Sequence, residues 1–319
     1  MLRIDSITQT SVQTADKPIS DRGIAKTYTI IAAVFLIAAT LLLIYPGLVR
    51  QSDGFEMTVM DVGQGDAILI CADGHSILID GGARPSDATV MAENVILPYF
   101  RTLGIKKLDI VFNTHPDNDH IGGLFAVIDQ VPTGALGVYD GYTDSERQQQ
   151  LLHLAQQRNV PVVAVAAGQE FVLSDNLTIT ALSPQAGASY SEEFYNEGSL
   201  VLHIQYRDLD ILTTGDLNGA EMSAAVSGLD CADIEVLQMP HHGSSKNYNA
   251  DWYDNFNPQA VFISVGRNNE YGHPGSDVVD YWLRRGVNIY RTDQHGSCRI
   301  TYENGSFTVR TVLAAGTAA

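Results

Sequence analysis

Cysteine is scarce in this sequence: among 319 residues there are three, Cys71, Cys231 and Cys298. So few thiols, spread so widely, do not make the disulfide framework that stabilises small secreted folds. None of them lies close in sequence to a group of histidines, which argues against a zinc site built from thiolates. Cys71 ends the apolar run that begins at Ala67, so we expect it to be a buried strand residue.

Basic residues are also few, with 19 Lys and Arg against 37 Asp and Glu. Five of the basic and three of the acidic residues precede position 51, which leaves 14 against 34 and a net charge of −20 for the rest of the chain. Such a surface offers no long-range attraction to nucleic acid or to an anionic membrane. Local positive potential there can still come from bound metal ions.

One long apolar run is present, the 22 uncharged residues from Tyr28 to Val49. A helix of that length rises about 33 Å, enough to cross the hydrocarbon core of a bilayer. The run exceeds the apolar region of a signal peptide, about 7–15 residues, and has no polar face to suit a soluble helix. We therefore expect an uncleaved signal anchor. More basic residues precede the run than follow it, which predicts a single-pass protein of the cell membrane with an extracellular domain.

The chain divides into five predicted parts: a polar, disordered tail at 1–27, the transmembrane anchor at 28–49, a linker at 50–55, one large domain at 56–311 and a short tail at 312–319. In the large domain, short apolar strands punctuated by glycine alternate with amphipathic helices. Asp144 or Ser145 is expected to cap the helix that follows. Strand groups lie in both halves, so two sheets packed face to face with helices outside would accommodate the order, an α/β fold.

The stretch "THPDNDHIGG" (114–123) places two histidines and two aspartates where a predicted strand ends. His115 and Asp117 are two positions apart, and Asp119 and His120 are adjacent, so a loop can aim one pair at one ion and the other pair at a second. Imidazole and carboxylate suit zinc, manganese or iron without a sharp choice. An Asx-type turn with solvated charges is the structural alternative.

Two later predicted strands also end in residues that can bind metal. The run "LDILTTGD" ends on Asp216, and "IEVLQMPHHGS" ends with His241 and His242. One aspartate at a strand end is unremarkable. Three strand ends that supply carboxylates and imidazoles predict a shared site for two metal ions.

These motifs, in this order, resemble the metallo-β-lactamase fold superfamily, whose hallmark is His-x-His-x-Asp-His. More narrowly, they resemble the metal-hydrolase domain of ComEC-type competence proteins, which take up DNA. The matching segments are "MDVGQGDAILI" (60–70), "ILIDGG" (77–82), "NTHPDNDHIGG" (113–123), "SLVLHI" (199–204), "ILTTGD" (211–216), "MPHHGS" (239–244), "ISVGRNNEYGHP" (263–274) and "YRTDQHG" (290–296). The resemblance covers about residues 56–300 and implies a four-layer αββα sandwich, preceded here by one transmembrane helix.

The resemblance also implies two divalent ions, zinc or manganese. Asp117 stands where the superfamily usually has a histidine, an exchange characteristic of the ComEC-like branch that should favour harder ions such as manganese. Asp216 would bridge the ions. Either His241 or His242 would supply the last imidazole; we prefer His242, with His241 facing substrate. The implied ligand set is His115, Asp117, Asp119, His120, Asp216 and His242.

Around these ligands the sequence departs from the superfamily pattern in one respect. The histidine between the loop and the bridging aspartate is absent, and Asn196 and Ser199 occupy that region, so one ion is expected to be weakly held. His203 lies nearby, but we expect it to pack within its strand. Asp80 should hydrogen-bond a ligand histidine rather than bind metal, and Asp66 is expected near the rim, as a functional residue or a turn former.

Two cations about 3.5–4 Å apart can lower the pKa of a bridging water and stabilise the charge of an in-line displacement. The expected function is that of a membrane-anchored phosphodiesterase or nuclease of the ComEC-like type, acting through a metal-bound hydroxide on a phosphodiester or nucleic acid. Asp119 would be needed for turnover, and His241 or the rim residue His273 would stabilise the phosphoryl oxygens. Two alternatives stay open: an extracellular phosphoesterase for small or wall-linked substrates such as phosphocholine esters, and a catalytically degenerate binding or scaffold module.

Overall fold

The computed structural model describes residues 30–37, 40, 54–82, 88–142 and 144–314. Of the predicted span at 28–49, residues 30–37 and 40 are described and are helical, whereas the remainder and the predicted tail at 1–27 lie outside the described residues. Within the described part of the chain, no helix has both the length and the apolar character needed to cross a bilayer.

Residues 54–314 contain fifteen strands in their described part. In chain order they are β1 (Phe55–Val59), β2 (Ile68–Ala72), β3 (His75–Ile79), β4 (Ile110–Asn113), β5 (Leu136–Val138), β6 (Val162–Ala164), β7 (Glu170–Val172), β8 (Leu177–Ser183), β9 (Val201–Tyr206), β10 (Leu209–Thr213), β11 (Val236–Gln238), β12 (Ala260–Ile263), β13 (Asn288–Arg291), β14 (Cys298–Glu303) and β15 (Ser306–Thr311).

The strands form two mixed sheets. The first has the order β15-β14-β1-β2-β3-β4-β5-β6, and the second has the order β13-β12-β11-β10-β9-β8-β7. In the first sheet β3 to β6 are parallel, and in the second β10 to β13 are parallel. Because parallel strands point the same way, the segments that follow them emerge at one edge of each sheet, where ligand sites of α/β proteins are usual.

The helices are short and follow the strands. They are α1 (Ala88–Met91), a π turn (Ala92–Ile96), α2 (Leu97–Thr102), α3 (Asn118–Ile121), α4 (Leu124–Gln130), α5 (Glu146–Gln157), α6 (Gly219–Ala225), α7 (Ala250–Tyr253), α8 (Ser276–Arg284) and α9 (Thr292–His295). Of the two caps that the sequence left open for α5, Ser145 is used, because its side chain accepts a 3.2 Å hydrogen bond from the N–H of Gln148.

Three apolar clusters hold the sheets and helices together. One contains residues of both sheets, such as Ile70 and Ile211, and lies between them. The second joins the first sheet to α2, α4 and α5, and includes Val111, Phe100 and Val127. The third joins the second sheet to α7 and α8 through Leu237, Trp252 and Trp282. Both faces of the central strands of each sheet are thereby buried, as their continuous apolar runs require. The predicted α/β class is confirmed.

Candidate metal centre

Three strand ends bring the metal-capable residues together. β4 of the first sheet leads into His115, and the neighbouring strands β10 and β11 of the second sheet lead into Asp216 and His242. His115, Asp216 and His242 have exposed fractions of 0%, 3% and 1%. Buried imidazoles and carboxylates this close in space are unusual unless they are paired or bind a metal.

One group of donor atoms surrounds His115. Its Nε2 lies 3.5 Å from Oδ2 of Asp117 and 3.9 Å from Oδ2 of Asp216. Nδ1 of the same imidazole is 3.1 Å from the hydroxyl of Thr114. Contact at Nδ1 leaves Nε2 directed towards the two carboxylates, the orientation that a metal-binding histidine needs.

A second group surrounds His120 and His242. Nε2 of His242 is 3.2 Å from Oδ2 of Asp119 and 3.7 Å from Oδ2 of Asp216. Nε2 of His120 is 3.1 Å from Oδ1 of Asp216. The carboxylate of Asp216 therefore contacts both groups, with one oxygen towards His120 and the other shared between His242 and His115. This is the position expected of a carboxylate that bridges two ions.

The donor set fits divalent metal ions on an observation independent of sequence motifs. Nε2 of His115, Nε2 of His120 and Oδ1 of Asp216 are buried and have no hydrogen bond of satisfactory geometry, although the last two atoms are only 3.1 Å apart. Orphaned buried polar atoms are costly and call for a missing partner. Ligand atoms of Asp119, His120 and His242 likewise lie within 4.8 Å of one another. Imidazole and carboxylate are suitable ligands for such a partner.

Electrostatics within the cluster match this arrangement. Burial alone would raise the pKa of the Asp216 carboxyl, but the imidazoles of His120 and His242 hold it well below its usual range. Burial alone would lower the pKa of His242, but the charge of Asp216 and the hydrogen bond to Asp119 raise it to about 9. Without metal, the cluster is therefore a set of ion pairs, and an incoming cation takes the place of protons.

The paired histidines occupy different positions. His242 is buried, and its Nδ1 donates to the carbonyl of Ser264 at 2.8 Å. The side chain of His241 is 28% exposed, with Nε2 3.8 Å from Asp216 and Nδ1 3.4 Å from the amide of Asn196. The structure thus places His242 among the expected ligands and His241 on the solvent side of the cluster. Asn196, one of the residues in the region of the missing histidine, contacts His241.

Asp80 lies behind the cluster. Its Oδ2 accepts hydrogen bonds from Nδ1 of His120 at 2.8 Å and from the hydroxyl of Thr114 at 2.7 Å. Its Oδ1 accepts from the N–H of Thr114 at 2.8 Å and from the amide of Asn113 at 3.2 Å. The carboxylate therefore orients His120 so that Nε2 faces Asp216.

Two other predicted residues, Ser199 and Asp66, are buried next to the ligands. Ser199 is fully buried, and its hydroxyl accepts a 3.2 Å hydrogen bond from the N–H of Asp216. Asp66 is 2% exposed, so its expected place at the rim is wrong. Its Oδ2 accepts from the amide of Gln238 at 2.9 Å, and its Oδ1 lies 3.9 Å from Nδ1 of His242. Burial raises the pKa of Asp66 to about 6, despite the nearby imidazoles.

The cluster opens into a cavity of about 140 Å³. The ring of His273 forms part of its wall, 5.7 Å from the ring of His241. Burial and the positive charges of His242 and His241 lower the pKa of His273 to about 4. The eight residues that line the cavity are Gln64, Asp117, Asp119, Asp216, His241, His242, Tyr271 and His273.

Two of the lining residues, Gln64 and Tyr271, are absent from the sequence prediction. Both lie inside segments that carried the family resemblance, "GQGD" and "EYGHP". Their nearness to Asp66 and His273 was the available signal. His203, by contrast, lies outside the cavity: its Nε2 is 2.6 Å from Oδ1 of Asp210 across the β9–β10 hairpin, in keeping with a histidine packed within its strand.

The two mixed sheets and this histidine–aspartate centre define an α/β protein with a candidate site for divalent metal ions. Residues 60–173 match the family described as the metallo-beta-lactamase superfamily. The chain is 30% identical over 283 residues to "ComE operon protein 3" of Bacillus subtilis (strain 168), covering 84% of this chain and 36% of that protein. It is 27% identical over 251 residues to "Competence protein ComA" of Neisseria gonorrhoeae, covering 78% and 32% respectively.

A solved structure shows the same fold at low identity. Zn(2+)-bound PqqB from Methylobacterium extorquens superposes with a TM-score of 0.51 at 10% identity, covering 78% of this chain and 100% of that one. The chain belongs to the metallo-β-lactamase superfamily and is homologous to the competence proteins. It spans about a third of the length of these curated relatives.

Proposed function

We propose that this protein is a metal-dependent phosphodiesterase that acts on nucleic acid or on a related phosphodiester. The observation that carries the proposal is the position of Asp216, whose two oxygens contact the His120 side and the His115 side of one buried cluster. A carboxylate shared in this way suits a pair of ions. Two-ion sites favour phosphodiester hydrolysis because they stabilise both the attacking and the leaving oxygen.

The ligands would be the six residues expected from the sequence. His115 and Asp117, with Asp216, would hold one divalent ion, and Asp119, His120 and His242, with Asp216, would hold the other. When bound, the ions would supply Lewis-acid polarisation and a water of lowered pKa. The chain's own contribution is orientation: Asp80 fixes His120, and Ser199 fixes the backbone of Asp216. No histidine occupies the region of Asn196 and Ser199, which supports a weaker site on the His115 side.

Two side chains would contact the substrate. His241 and His273 line the cavity without belonging to the buried cluster, and their rings are 5.7 Å apart. Each can donate an N–H to a phosphoryl oxygen at the mouth of the site. The low pKa of His273, about 4, keeps it neutral near pH 7, so it would act as a hydrogen-bond donor rather than as a cation.

The charge of the domain favours a short substrate. With a net charge of −20 beyond residue 50, the surface cannot neutralise many phosphates, so extended binding to a duplex is disfavoured. The resemblance to ComEC-type competence proteins, which take up DNA, supports a nucleic-acid phosphodiester over other esters. Asp117, an anionic ligand in place of an imidazole, supports manganese beside zinc.

Activity assays with the full-length chain test the proposal. Manganese- or zinc-loaded protein is offered bis-p-nitrophenyl phosphate, single-stranded DNA and p-nitrophenyl phosphocholine, and the metal content is measured. We expect about two ions per chain, turnover of the first two substrates, and loss of turnover in Asp119→Ala. The matched control is His153→Ala, since His153 is an exposed residue of α5.

Three outcomes would contradict the proposal. Turnover of the phosphocholine ester alone would favour the small-substrate phosphoesterase. Absence of both metal and activity would favour a scaffold module. Equal activity in Asp119→Ala and His153→Ala would reject the assignment of the site.

We also propose that residues 28–49 anchor the protein in the cell membrane, with the hydrolase domain outside. The support is the uncharged 22-residue run and the excess of Lys and Arg before it. Protease treatment of intact spheroplasts should digest the domain and leave a short membrane-bound fragment. Recovery of the whole chain in the soluble fraction would contradict the anchor.

A further inference from the structure

Exposed aromatic side chains are rare in the described part of the domain. Two are strongly exposed there, Phe194 at 47% and Tyr271 at 60%. Of these two, Tyr271 lines the metal cavity itself, whereas Phe194 does not. Single exposed apolar residues are common on proteins. An aromatic ring on the wall of a cavity otherwise made of carboxylates, imidazoles and an amide is different, because it offers a planar surface to whatever enters.

The ring of Tyr271 is held in a defined position. It stacks on the imidazole of His273, with ring centroids 5.7 Å apart and an interplanar angle of 16°. Oδ1 of Asn269 accepts hydrogen bonds from the N–H of Tyr271 at 3.2 Å and from the N–H of His273 at 3.0 Å. Nδ2 of Asn269 donates to the carbonyl of His273 at 2.7 Å. A ring that is fixed before binding loses little entropy when another planar group stacks on it.

Space for more than one substrate group exists beside the ring. The segment 266–270, which leads to Tyr271, lines a second cavity of about 380 Å³. Gln64 lines both this cavity and the metal cavity, so the two are neighbours. The second cavity also carries Arg267, an exposed guanidinium in an acidic domain, and guanidinium is well suited to phosphate. Its volume is in the range of small-molecule sites.

We propose that Tyr271 is a stacking platform for a nucleobase of the substrate, next to the phosphodiester held at the metal centre. This inference rests on the proposed phosphodiesterase function and narrows it. All bases have an aromatic face, so a platform of this kind tolerates any sequence but requires a base that is not stacked within a duplex. The substrate class is therefore a nucleotide ester or a single-stranded end, which also suits a domain that can neutralise few phosphates.

Paired substrates with one leaving group separate stacking from chemistry. Thymidine 5′-(p-nitrophenyl phosphate) and methyl p-nitrophenyl phosphate share the scissile bond, and only the first has a base. We expect Tyr271→Ala to lower kcat/KM for the thymidine ester by about 5- to 150-fold, the range that corresponds to ~1–3 kcal/mol of stacking. The methyl ester should lose much less, because it loses only the support that the ring gives to His273. Tyr271→Phe should match the wild type on both esters, because stacking does not need the hydroxyl.

Leu283→Ala is the control, since Leu283 is 58% exposed on α8 and does not line either cavity. An equal loss on both esters would overturn the proposal, because it would mean that Tyr271 supports the metal centre instead. No loss on either ester would also overturn it. A loss confined to p-nitrophenyl phosphocholine would assign the ring to a quaternary ammonium group, which aromatic faces also bind.

A binding measurement without catalysis keeps this inference separate from the proposed function. The full-length chain in EDTA is titrated against fluorescein-labelled tetrathymidylate and against an abasic tetramer with the same phosphates, with anisotropy as the readout. We expect the wild type to prefer the oligomer with bases and Tyr271→Ala to lose that preference. A wild type without preference would refute the platform. A clear preference in a protein that hydrolyses no phosphodiester would uphold the platform and reject the proposed function.

Discussion

Asp80 should control the affinity of the centre for metal, although it lies behind the ligands rather than among them. The decisive contact is the hydrogen bond that its Oδ2 accepts from Nδ1 of His120 at 2.8 Å. In Asp80→Asn one oxygen becomes an NH₂ group. The N–H of Thr114 donates to Oδ1 and can only donate, so the remaining oxygen stays on that side. The new NH₂ group then faces Nδ1 of His120.

Two donors cannot share this contact, so the imidazole must move its proton to Nε2. That nitrogen is the one that faces Asp216, 3.1 Å away, and it would lose the lone pair that binds metal. Loss of such a supporting carboxylate typically lowers metal affinity about 10- to 100-fold, or ~1.4–2.8 kcal/mol. We expect a decrease of this size for Asp80→Asn.

Competition between the full-length protein and a fluorescent zinc chelator measures the affinity, and thermal unfolding in EDTA verifies that the variant folds. Asp73→Asn is the matched control: Asp73 accepts hydrogen bonds from Ser174, Asn176 and Tyr206, outside the metal cavity. A zinc affinity within twofold of wild type in Asp80→Asn would refute the argument. So would a loss of the same size in Asp73→Asn.

Three further outcomes are expected. Burial alone would lower the pKa of His242, but the charge of Asp216 raises it to about 9. A metal ion must displace the proton of this imidazole, so metal affinity should rise with pH up to about 9, and calorimetry should detect the released proton. A Cβ at Gly123 would overlap the backbone carbonyl of Gly81, so Gly123→Ala should lower the free energy of unfolding by about 1–3 kcal/mol in urea titrations. Gly228 has open space around it, so Gly228→Ala should leave the free energy of unfolding unchanged. Burial raises the pKa of Cys298 to about 12, so its thiol should react with Ellman's reagent at pH 8 only after unfolding; reaction of the folded protein would contradict this.

The parts of the fold that could be predicted are those with a local cause. A run of apolar residues followed by His or Asp indicates a strand that ends at the metal centre. The strands β4, β10 and β11 all end within four residues of the first metal-capable side chain, His115, Asp216 and His241 respectively. The pairing of the strands has no comparable local signal, since it depends on contacts between distant segments. β7 has no clear local signal either, because it has three residues and both of its ends are exposed.

Long-range contacts also explain which site residues were missed or misplaced. Asp66 was expected near the rim, yet it is buried and accepts a hydrogen bond from Gln238, a residue 172 positions away. The sequence signal for Tyr271 was its nearness to His273, but a tyrosine between a glutamate and a glycine is equally consistent with an ordinary surface turn. Only the fold shows that its ring stacks on His273 and lines the metal cavity.

The backbone at the paired histidines shows why a motif alone could not give the geometry. His241 and His242 are consecutive residues in the left-handed region, with φ of 49° and 55°. Such conformations cost about 1–3 kcal/mol for a residue with a side chain and persist only where surrounding contacts enforce them. Here the N–H of His241 donates to the carbonyl of Gly215 at 3.1 Å, and Nδ1 of His242 donates to that of Ser264 at 2.8 Å. Continuing the strand would instead point the two imidazoles to opposite faces of the sheet. The left-handed pair keeps one imidazole among the buried carboxylates and the other on the cavity wall, so the strain is located where both are needed.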